Sequence, residues 1–348
     1  MNMDTAASPP TFPELLEELL AGGDLGTERS RWLGDAMMEG TLTQSQLGAA
    51  LALWRVKGET VAELAGLVDS MLGHCVPVAL DVAAIDTCGT GGDRRGTFNI
   101  STVAAMVVAG AGLPVAKHGG RAASSRCGSA DVLEALGVAI ELPPQGVATC
   151  VAEAGMGFMF APAYHPAMRH VAVTRAELGI RTVFNILGPL ANPAGVPYQS
   201  LGVSDARLAE LMAGVLARLG RKRAIVFAGP GGLDELGLDG PSRCWEIRDG
   251  VVTTSVIDPA ELGIRSAPSS ALAGGDAASN AAVVRRVLAG EAGPMSDVVL
   301  LNSAAALVAG ERAETLAEGL DLARASLGSG AAADVLERLI RVSQRLAR

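Results

Sequence analysis

The sequence predicts an α/β protein that consists of a small all-α domain and a large α/β domain with a central, mainly parallel sheet. Residues from about 11 to 72 carry apolar positions at helical spacing, and Ser or Thr precedes several of these segments as a cap. Beyond residue 76, short apolar runs typical of buried strands alternate with helical runs. Such alternation implies parallel pairing, and 348 residues suffice for two domains.

Individual segments specify the elements. Four helices are expected in PELLEELL, ERSRWLGDAMMEG, TQSQLGAALALWRVKG and TVAELAGLVDSML, and strands in VALDVAAIDTC, LPVAKHG, MGFMFA, QSLGV and RAIVFAG. In CWEIRDGVVTTSVI, Asp249 and Gly250 separate two runs rich in β-forming residues, which predicts a hairpin at an edge of the sheet. From Asn280 onward the pattern is helical again.

Composition narrows the class of protein. Hydrophobic residues make up 49% of the chain, enough for a large core. The formal net charge is −9, with 28 Lys and Arg against 37 Asp and Glu and no basic cluster, which argues against nucleic acid as a partner. The uncharged run 96–116 contains Asn99 and Pro114, so a buried helix explains it better than a membrane span.

Cysteine usage and the N-terminal segment suggest a compartment. The five cysteines are scattered and form no C-x-x-C pair, which is typical of reduced thiols in a cytosolic protein with neither disulfides nor zinc. The N-terminal segment has an early acidic residue and no basic flank before an apolar core, unlike a signal peptide. We therefore expect a cytoplasmic protein without a membrane role.

A glycine-rich segment, DTCGTGGDRRGTFNIST at 86–102, lies between a predicted strand and a predicted helix. Backbone N–H groups of such a turn, together with the helix dipole, favour a bound anion such as phosphate. A helix cap with a tight turn and no ligand explains such a segment about as often. The segment is neither G-x-G-x-x-G nor G-x-x-x-x-G-K-[ST], so dinucleotide and P-loop modes of binding do not apply.

A second segment, KHGGRAASSRCGS at 117–129, follows the next predicted strand. It combines Lys117, Arg121 and Arg126 with glycines and hydroxyl groups, and such cations bind phosphate. A solvated basic loop is the alternative, but such loops do not usually combine cations with Gly and Ser. Two such loops at the ends of adjacent parallel strands would face one crevice, which favours a ligand with several phosphate groups.

A third segment, GGLDE, places Asp234 and Glu235 after a further predicted strand. Adjacent carboxylates at a strand end suit Mg²⁺, which binds one or two carboxylates together with ligand phosphates. Acidic pairs on loops are more often merely solvated. Two anion-binding loops elsewhere in the chain would need a counter-cation, and this requirement favours the metal.

The fourth segment, 161–193, supplies Arg169, His170, Arg175 and Arg181 beside apolar residues. Arg175 is the natural partner for a planar carboxylate in an apolar pocket. Arg169 suits a surface or interface equally well, and His165 and His170 are better explained as structural histidines.

Together and in this order, the motifs resemble those of the anthranilate phosphoribosyltransferases of tryptophan biosynthesis. The matching motifs are GTGGD with FNIST, KHG-x-R-x-x-SS, ELG-x-x-TVFN-x-LGPL-x-NP, and the Asp-Glu pair, and they span nearly the whole chain. The resemblance implies a small α-helical domain at 1–77 with about 161–182, a large domain at 78–160 and 183–348, and an active site in the cleft between them. It also implies a homodimer joined through the helical domain.

The resemblance further implies a reaction: transfer of the phosphoribosyl group of 5-phosphoribosyl 1-pyrophosphate to the amine of anthranilate, with release of pyrophosphate. Residues implied to contact the phosphoribosyl substrate are Gly89, Gly92, Asp93, Thr97, Asn99, Ile100, Ser101, Thr102, Lys117, His118, Gly119, Gly120, Arg121, Ala122, Ala123, Ser124, Ser125 and Ser129.

The other implied roles concern magnesium and the acceptor. Ser101 would bind one Mg²⁺ and Asp234 with Glu235 a second, with Glu235 placed to touch both. Arg175 would pair with the anthranilate carboxylate, and Gly89 would border its ring.

Positioning and electrostatic stabilisation of pyrophosphate, in part by Lys117, carry the expected mechanism. His118 is a candidate for orienting the amine or shielding the site, and a structural role is about equally expected.

One position departs from the family pattern. The family usually has KHGNR with an asparagine that reaches anthranilate, where this chain has Gly120. One lost side-chain hydrogen bond would weaken acceptor binding by about 1 kcal/mol. Two alternatives stay open at this point: a pyrimidine nucleoside phosphorylase-like enzyme, and a non-catalytic nucleic-acid-binding relative.

Overall fold

The computed structural model describes residues 10–122 and 126–347. Its helices and strands, numbered in chain order, are α1 (Phe12–Leu20), α2 (Gly26–Glu39), α3 (Gln44–Lys57), α4 (Val61–Gly73), β1 (Ile85–Gly89), α5 (Ile100–Gly110), β2 (Val115–Gly119), α6 (Ser129–Leu136), α7 (Pro144–Ala154), β3 (Met156–Phe160), α8 (Ala161–Tyr164), α9 (Arg169–Leu178), α10 (Phe184–Leu187), β4 (Tyr198–Gly202), α11 (Ala206–Arg218), β5 (Arg223–Ala228), β6 (Ser242–Arg248), β7 (Val251–Ile257), α12 (Ala277–Leu288), α13 (Pro294–Ala309), α14 (Leu316–Gly328) and α15 (Ala331–Leu346).

Contacts divide the chain into two compact units. The helical unit comprises the residues up to Cys75 together with His165–Leu187, and the α/β unit comprises Val76–Tyr164 and the residues from Gly188 onward. The predicted fold class, a small helical domain and a large α/β domain with a mainly parallel sheet, is confirmed. The predicted domain bounds stay a prediction.

The helical unit forms because its segments carry both apolar faces and N-terminal caps. Thr43 caps α3 by accepting a hydrogen bond from the Gln46 N–H, and Thr60 caps α4 in the same way from Glu63. The helices pack as α2 on α4, α1 on α3, and α9 on α2 and α3. The segment that includes α9 thus joins the N-terminal helices.

The α/β unit contains one seven-stranded sheet in the order β3-β2-β1-β4-β5-β6-β7. Strands β1 to β5 run parallel, and β6 and β7 add to one edge as an antiparallel hairpin. Asp249 and Gly250 at its turn have φ of 48° and 80°, the positive values that a two-residue type I′ turn requires. The hairpin predicted from this dipeptide is confirmed.

The strand order places a switch point beside β1. From β1 the chain proceeds through β2 to β3 on one side, and β4 with β5 then continues on the other side. In open sheets with this topology, ligands bind outside the carboxyl ends of the strands at the switch point. The loops that follow β1, β2 and β5 all start from this edge of the sheet.

The core of the α/β unit is aliphatic. Helix α5 is buried at nearly every position, packs on β1, β2 and β3, and also contacts α13, α14 and α15. No helix in the described part of the chain is both long enough and apolar enough to cross a bilayer. The long uncharged run is therefore a core helix with the strand that follows it.

One sequence prediction needs adjustment. The segment VALDVAAIDTC is a strand only from Ile85, since residues 78–84 form no strand.

Helix α8 contacts β3, and the Tyr164 hydroxyl donates to the Leu142 carbonyl at 2.8 Å. Helix α8 is therefore part of the α/β unit.

Candidate active site

Two predicted segments meet at the N-terminus of α5. The glycine-rich loop after β1 leads into this helix, and the Ser101 backbone N–H donates to Glu235 Oε1 at 3.1 Å. From the sequence, we expect phosphate at this helix end. In the structure the Glu235 carboxylate lies beside it and satisfies one of the unpaired N–H groups of the first turn.

Asp234 approaches the glycine-rich loop from the other side. Its Oδ2 accepts a hydrogen bond from the Gly91 N–H at 2.6 Å. A Cβ atom at Gly89 would lie 2.5 Å from the same oxygen, and one at Gly202 would overlap the Asp234 carbonyl. Glycine at the ends of β1 and β4 therefore allows the acidic segment to pass across the edge of the sheet.

Lys117 connects the second segment to the first. Its side chain is only 2% exposed, and its ammonium donates to the Thr87 carbonyl and, at 3.3 Å, to Ser101 Oγ. A buried ammonium is stable only where hydrogen bonds or an opposite charge compensate it. The Ser101 hydroxyl, which the resemblance assigns to magnesium, thus also contacts a protein cation.

The surroundings of the acidic pair disfavour two uncompensated negative charges. Burial raises the pKa of Asp234 to about 7, and the nearby Asp93 carboxylate adds to this rise. Burial also raises the pKa of Glu235 well above its ordinary value, with the charge of Asp234 adding and Lys117 opposing. Two buried carboxyl groups that repel each other favour a divalent cation between them, so Asp234 and Glu235 fit Mg²⁺.

The metal would need further ligands from a substrate. Within residues 10–122 and 126–347, no three side chains of His, Cys, Asp or Glu form a group that could hold a metal ion. Mg²⁺ characteristically binds one or two carboxylates together with substrate phosphates and water. The donor set therefore fits a metal that arrives with, or is completed by, a phosphorylated substrate.

The loop after β2 is closed by α6. The N–H groups of Ala122 and Gly128 both donate to Asp131 Oδ2, at 3.0 and 2.8 Å, and Ser129 Oγ donates to the Gly120 carbonyl at 3.4 Å. Burial opposes ionisation of Asp131, but these N–H groups and Arg121 outweigh it, and its pKa is lowered. The predicted contacts of Ala123, Ser124 and Ser125 lie outside the described residues.

Arg121 has partners of its own in this loop. Its guanidinium donates to Asp131 Oδ1 at 3.1 Å and to Glu134 Oε1 at 3.0 Å, and it lies 5.4 Å from the ring centroid of Phe160. Arg121, which is predicted to bind phosphate, thus binds acidic residues of α6 in the structure.

Two comparisons with known proteins agree with this geometry. The model of the glycosyl transferase family, helical bundle domain, matches residues 13–75, and that of the glycosyl transferase family, a/b domain, matches residues 81–333. An anthranilate phosphoribosyltransferase of Chloroflexus aggregans is 53% identical over 333 residues, which cover 95% of this chain and 98% of the relative. The chain belongs to the anthranilate phosphoribosyltransferase family.

Solved structures of the family are similar throughout. The anthranilate phosphoribosyltransferase of Thermus thermophilus aligns with a TM-score of 0.90 at 43% identity, covering 95% of this chain and 99% of that one. The Saccharomyces cerevisiae member, in complex with PRPP and Mg, aligns with a TM-score of 0.88 at 28% identity, covering 96% and 98%.

Other predicted residues of this anthranilate phosphoribosyltransferase family member lie around the same edge of the sheet. Asn99 Nδ2 donates to the Cys127 carbonyl at 3.1 Å, and Asn99 Oδ1 accepts from Asn280 at 2.9 Å. Thr97 forms an isolated bridge with Ala273. The amide predicted to contact substrate therefore joins the loops that follow β1 and β2.

Three further predicted residues have distinct surroundings. Asp93 Oδ1 accepts from the Arg95 N–H at 3.0 Å. Thr102 is buried in the first turn of α5. His118 is 7% exposed, and its backbone N–H donates to Asp86 at 3.2 Å.

Arg175 belongs to the helical unit. It lies on α9, half-buried, with its guanidinium 5.5 Å from the ring centroid of Phe184, and burial lowers its pKa. A desolvated guanidinium beside a ring suits a planar carboxylate, and its role as acceptor ligand stays a prediction.

The departure at Gly120 leaves room in the structure. A Cβ atom at this position would have the Ala161 Cβ at 4.0 Å as its nearest neighbour. An asparagine side chain would therefore start without a clash, and packing does not require glycine here.

Sequence reasoning missed three polar side chains that shape the site. Asp86, Asn192 and Asn280 are almost completely buried. Asp86 and Asn192 bind each other and the backbone of β2, and Asn280 binds Asn99 in the loop after β1. Asp86 and Asn192 both lie inside quoted motifs, DTCGTGGD and LGPLANP. The feature of the sequence that could have indicated Asp86 is its position, as a charged residue at the end of an apolar run.

Proposed function

We propose that the carboxyl edge of the sheet catalyses the family's reaction, transfer of the phosphoribosyl group of 5-phosphoribosyl 1-pyrophosphate to the amine of anthranilate. The products are N-(5-phosphoribosyl)-anthranilate and pyrophosphate, in L-tryptophan biosynthesis. One observation carries the proposal. Ser101 lies within hydrogen-bond distance of both Lys117 and Glu235, and Asp234 binds the backbone of the glycine-rich loop.

The donor binds to the loops after β1 and β2. Lys117 supplies a desolvated positive charge next to the N-terminus of α5, and glycine in the loops has no side chain that would keep phosphate oxygens from the backbone. Negative charge grows on pyrophosphate as its bond to the ribose breaks. A cation already fixed at this place stabilises that charge without reorganising during the reaction.

Magnesium completes the donor site. Asp234 and Glu235 would hold one ion and Ser101 a second, with Glu235 touching both. Bound Mg²⁺ supplies positive charge that neutralises the pyrophosphate. Support comes from the raised pKa values of Asp234 and Glu235, because burial and neighbouring carboxylates disfavour the charged forms of both groups and a cation would compensate them.

The acceptor is held by its carboxylate. Arg175 would form two parallel hydrogen bonds with the anthranilate carboxylate, and Gly89 would border the ring. The amine of anthranilate is a weak nucleophile, so alignment with the anomeric carbon contributes more than deprotonation. His118 orients the amine or shields the site from water.

Two wider properties belong to the same proposal. The family resemblance supports a homodimer joined through the helical unit. Cysteine usage and the biosynthetic role support a cytoplasmic location.

A fluorescence assay tests the proposal. Anthranilate fluorescence should decay only when protein, 5-phosphoribosyl 1-pyrophosphate and Mg²⁺ are all present, and should persist when EDTA removes the metal. Persistence in the complete mixture would exclude the proposed activity. Cleavage of a pyrimidine nucleoside that requires inorganic phosphate would instead identify a nucleoside phosphorylase.

A further inference from the structure

The seam between β1 and β2 differs from its neighbours in the sheet. Strand register between β1 and β4 continues for five residue pairs, from Ile85↔Tyr198 to Gly89↔Gly202, and β2 with β3 also aligns over five. Between β1 and β2, the strand register is set by the single pair Ile85↔Val115. The two loops of the donor site leave the sheet from either side of this seam.

Beyond that pair, a buried carboxylate bridges the strands. Asp86 on β1 is fully buried, and its Oδ1 accepts from the backbone N–H of His118 on β2 at 3.2 Å. Its Oδ2 accepts from Asn192 Nδ2 at 2.8 Å. A side chain thus binds a backbone N–H of the neighbouring strand at the point where the site begins.

Asn192 fills the rest of the seam. It is also fully buried, and its Nδ2 donates a second hydrogen bond to the carbonyl of Ala116 on β2 at 3.0 Å. Its Oδ1 accepts from the Ala194 N–H at 2.9 Å, which fixes the amide's orientation. Asn192 therefore contacts both β2 and the Asp86 side chain from a segment outside the sheet.

The charge of Lys117 belongs to the same arrangement. The ammonium crosses the seam from β2 to the Thr87 carbonyl on β1. Burial raises the pKa of Asp86, and Lys117, Asn192 and the His118 N–H oppose that rise. A buried carboxylate and a buried ammonium stabilise each other here only while the seam keeps its geometry.

We propose that Asp86 and Asn192 form a positioning pair that fixes the spacing between the loops after β1 and β2. The pair acts through the His118 backbone and Lys117, and touches no substrate itself. The inference rests on the proposed function, because the spacing that it sets is that of the phosphoribosyl pyrophosphate site. It assigns a role to the asparagine of the LGPLANP motif.

The test measures binding of 5-phosphoribosyl 1-pyrophosphate with Mg²⁺ by calorimetry, without anthranilate. Asn192→Ala leaves the Asp86 carboxylate and the Ala116 carbonyl each short of a donor, so the dissociation constant should rise by about tenfold or more. The Michaelis constant for the donor should rise in parallel, and that for anthranilate should stay within about twofold, because the helical unit keeps Arg175.

Ser343→Ala is the matched control. Ser343 is fully buried in α15, accepts from the Ala139 N–H at 3.1 Å and donates to the Ile340 carbonyl at 3.1 Å. This variant should lose a similar amount of thermal stability, while donor affinity stays within about twofold of the wild type, as for independent sites. Equal donor affinity in Asn192→Ala and Ser343→Ala would overturn the proposal.

Asp86→Asn provides a second variant of nearly the same shape. His118 and Asn192 donate to different oxygens of the Asp86 carboxylate, and an amide replaces one of these oxygens by an NH2 donor. One of the two hydrogen bonds is therefore lost, and donor affinity should again fall. A folded Asp86→Asn protein with wild-type donor affinity would also overturn the pairing.

Hydrogen exchange on the wild type needs no variant. The His118 amide should be protected without any ligand, since Asp86 already binds it, and exchange as fast as in an open loop would contradict the proposal. Calorimetry distinguishes failure of the proposed function from failure of the positioning pair. A wild type that fails to bind the donor with Mg²⁺ would overturn the proposed function, whereas normal binding in both variants would overturn only the positioning pair.

Discussion

Asp234, Glu235 and Arg175 are charged groups that folding removes from water. A buried acid is driven toward its neutral form and a buried guanidinium toward weaker protonation, as the raised and lowered pKa values show. The two buried carboxylates are therefore stable in their charged form only with an opposite charge nearby, whereas Arg175 stays protonated and its partial desolvation favours a carboxylate partner. This requirement points to a cation for the acids and a carboxylate for Arg175.

Asp234 predicts a pH dependence of donor binding. Its pKa is raised from 3.8 to about 7, so between these values the folded metal-free protein holds a proton that the unfolded chain has lost. By linkage, the free energy of unfolding of the metal-free protein falls as pH rises through this window. Because Mg²⁺ needs the ionised carboxylate, binding of donor with metal should strengthen over the same window and release protons.

Calorimetry in two buffers of different ionisation enthalpy, at about pH 6.5, measures that release. The observed binding enthalpy should differ between the buffers, and the difference should become smaller in Asp234→Asn, where Glu235 is left as the acidic group with a raised pKa. Identical enthalpies for the wild type in both buffers would show that Asp234 does not titrate on binding.

Arg175→Ala should act on the acceptor alone. Loss of a charge-assisted, two-bond contact corresponds to about 1.5–3 kcal/mol, so the Michaelis constant for anthranilate should rise roughly 10- to 100-fold. That for the donor should change little. Arg175→Lys keeps the charge but not the two-bond geometry. Its Michaelis constant for anthranilate should therefore lie between those of the wild type and Arg175→Ala. Equal effects on both substrates would remove Arg175 from the acceptor site.

At the level of elements, strand ends decide where the acidic segment can run. The segment after β5 crosses the ends of β1 and β4, and it can do so only because both strands end in glycine. The loop after β2 is held differently, by Asp131 at the start of α6. Glycine lets the acidic segment approach the loop after β1 closely, whereas hydrogen bonds to α6 hold the loop after β2 in place.

Gly89→Ala should disturb this crossing. Its Cβ would lie 2.5 Å from Asp234 Oδ2, so the acidic segment must shift, at a cost of about 1–3 kcal/mol in the free energy of unfolding. Turnover should fall as the metal ligand moves. Gly188→Ala is the matched control, since its Cβ would have no neighbour within 4 Å in the described part of the chain and no substrate contact is predicted for it. Chemical denaturation and donor kinetics compare the two, and equal stability would contradict the crowding at Gly89.

At the scale of the whole molecule, the buried charged groups of the proposed donor site all lie at one edge of the sheet in the α/β unit. Donor and Mg²⁺ binding there should be coupled to folding, because the unfolded chain has no such site. At a donor concentration of about 100 times the dissociation constant, the stabilisation should be about 2.7 kcal/mol. Arg175, the proposed acceptor ligand, lies in the helical unit, so its substitution should change this stabilisation little.

Thermal unfolding measures the coupling. The wild-type melting temperature should rise with donor concentration only when Mg²⁺ is present. The double variant Asp234→Asn with Glu235→Gln should stay folded, lose this rise, and lose turnover by about 100-fold or more. A double variant with unchanged metal dependence would remove the metal assignment.

Much of this protein could be predicted from local sequence. The helix caps, the Asp249–Gly250 turn and the apolar strands depend on residues within a few positions of one another, so pattern alone indicates them. The order of the motifs likewise identified the chemistry: glycine-rich turn, cationic loop and acidic pair. These are properties of residue type and spacing, and they do not require the fold to be known.

The tertiary structure alone decided which groups meet. Ser101 and Glu235 are 134 residues apart, Asp86 and Asn192 are 106 apart, and Arg121 binds α6 rather than an open anion site. Contacts across such separations depend on strand order and on which side chains burial forces together. The sequence determined the chemical groups of the site by local pattern, and the strand order of the sheet determined their partners, because partners far apart in the chain become neighbours only when the strands assemble.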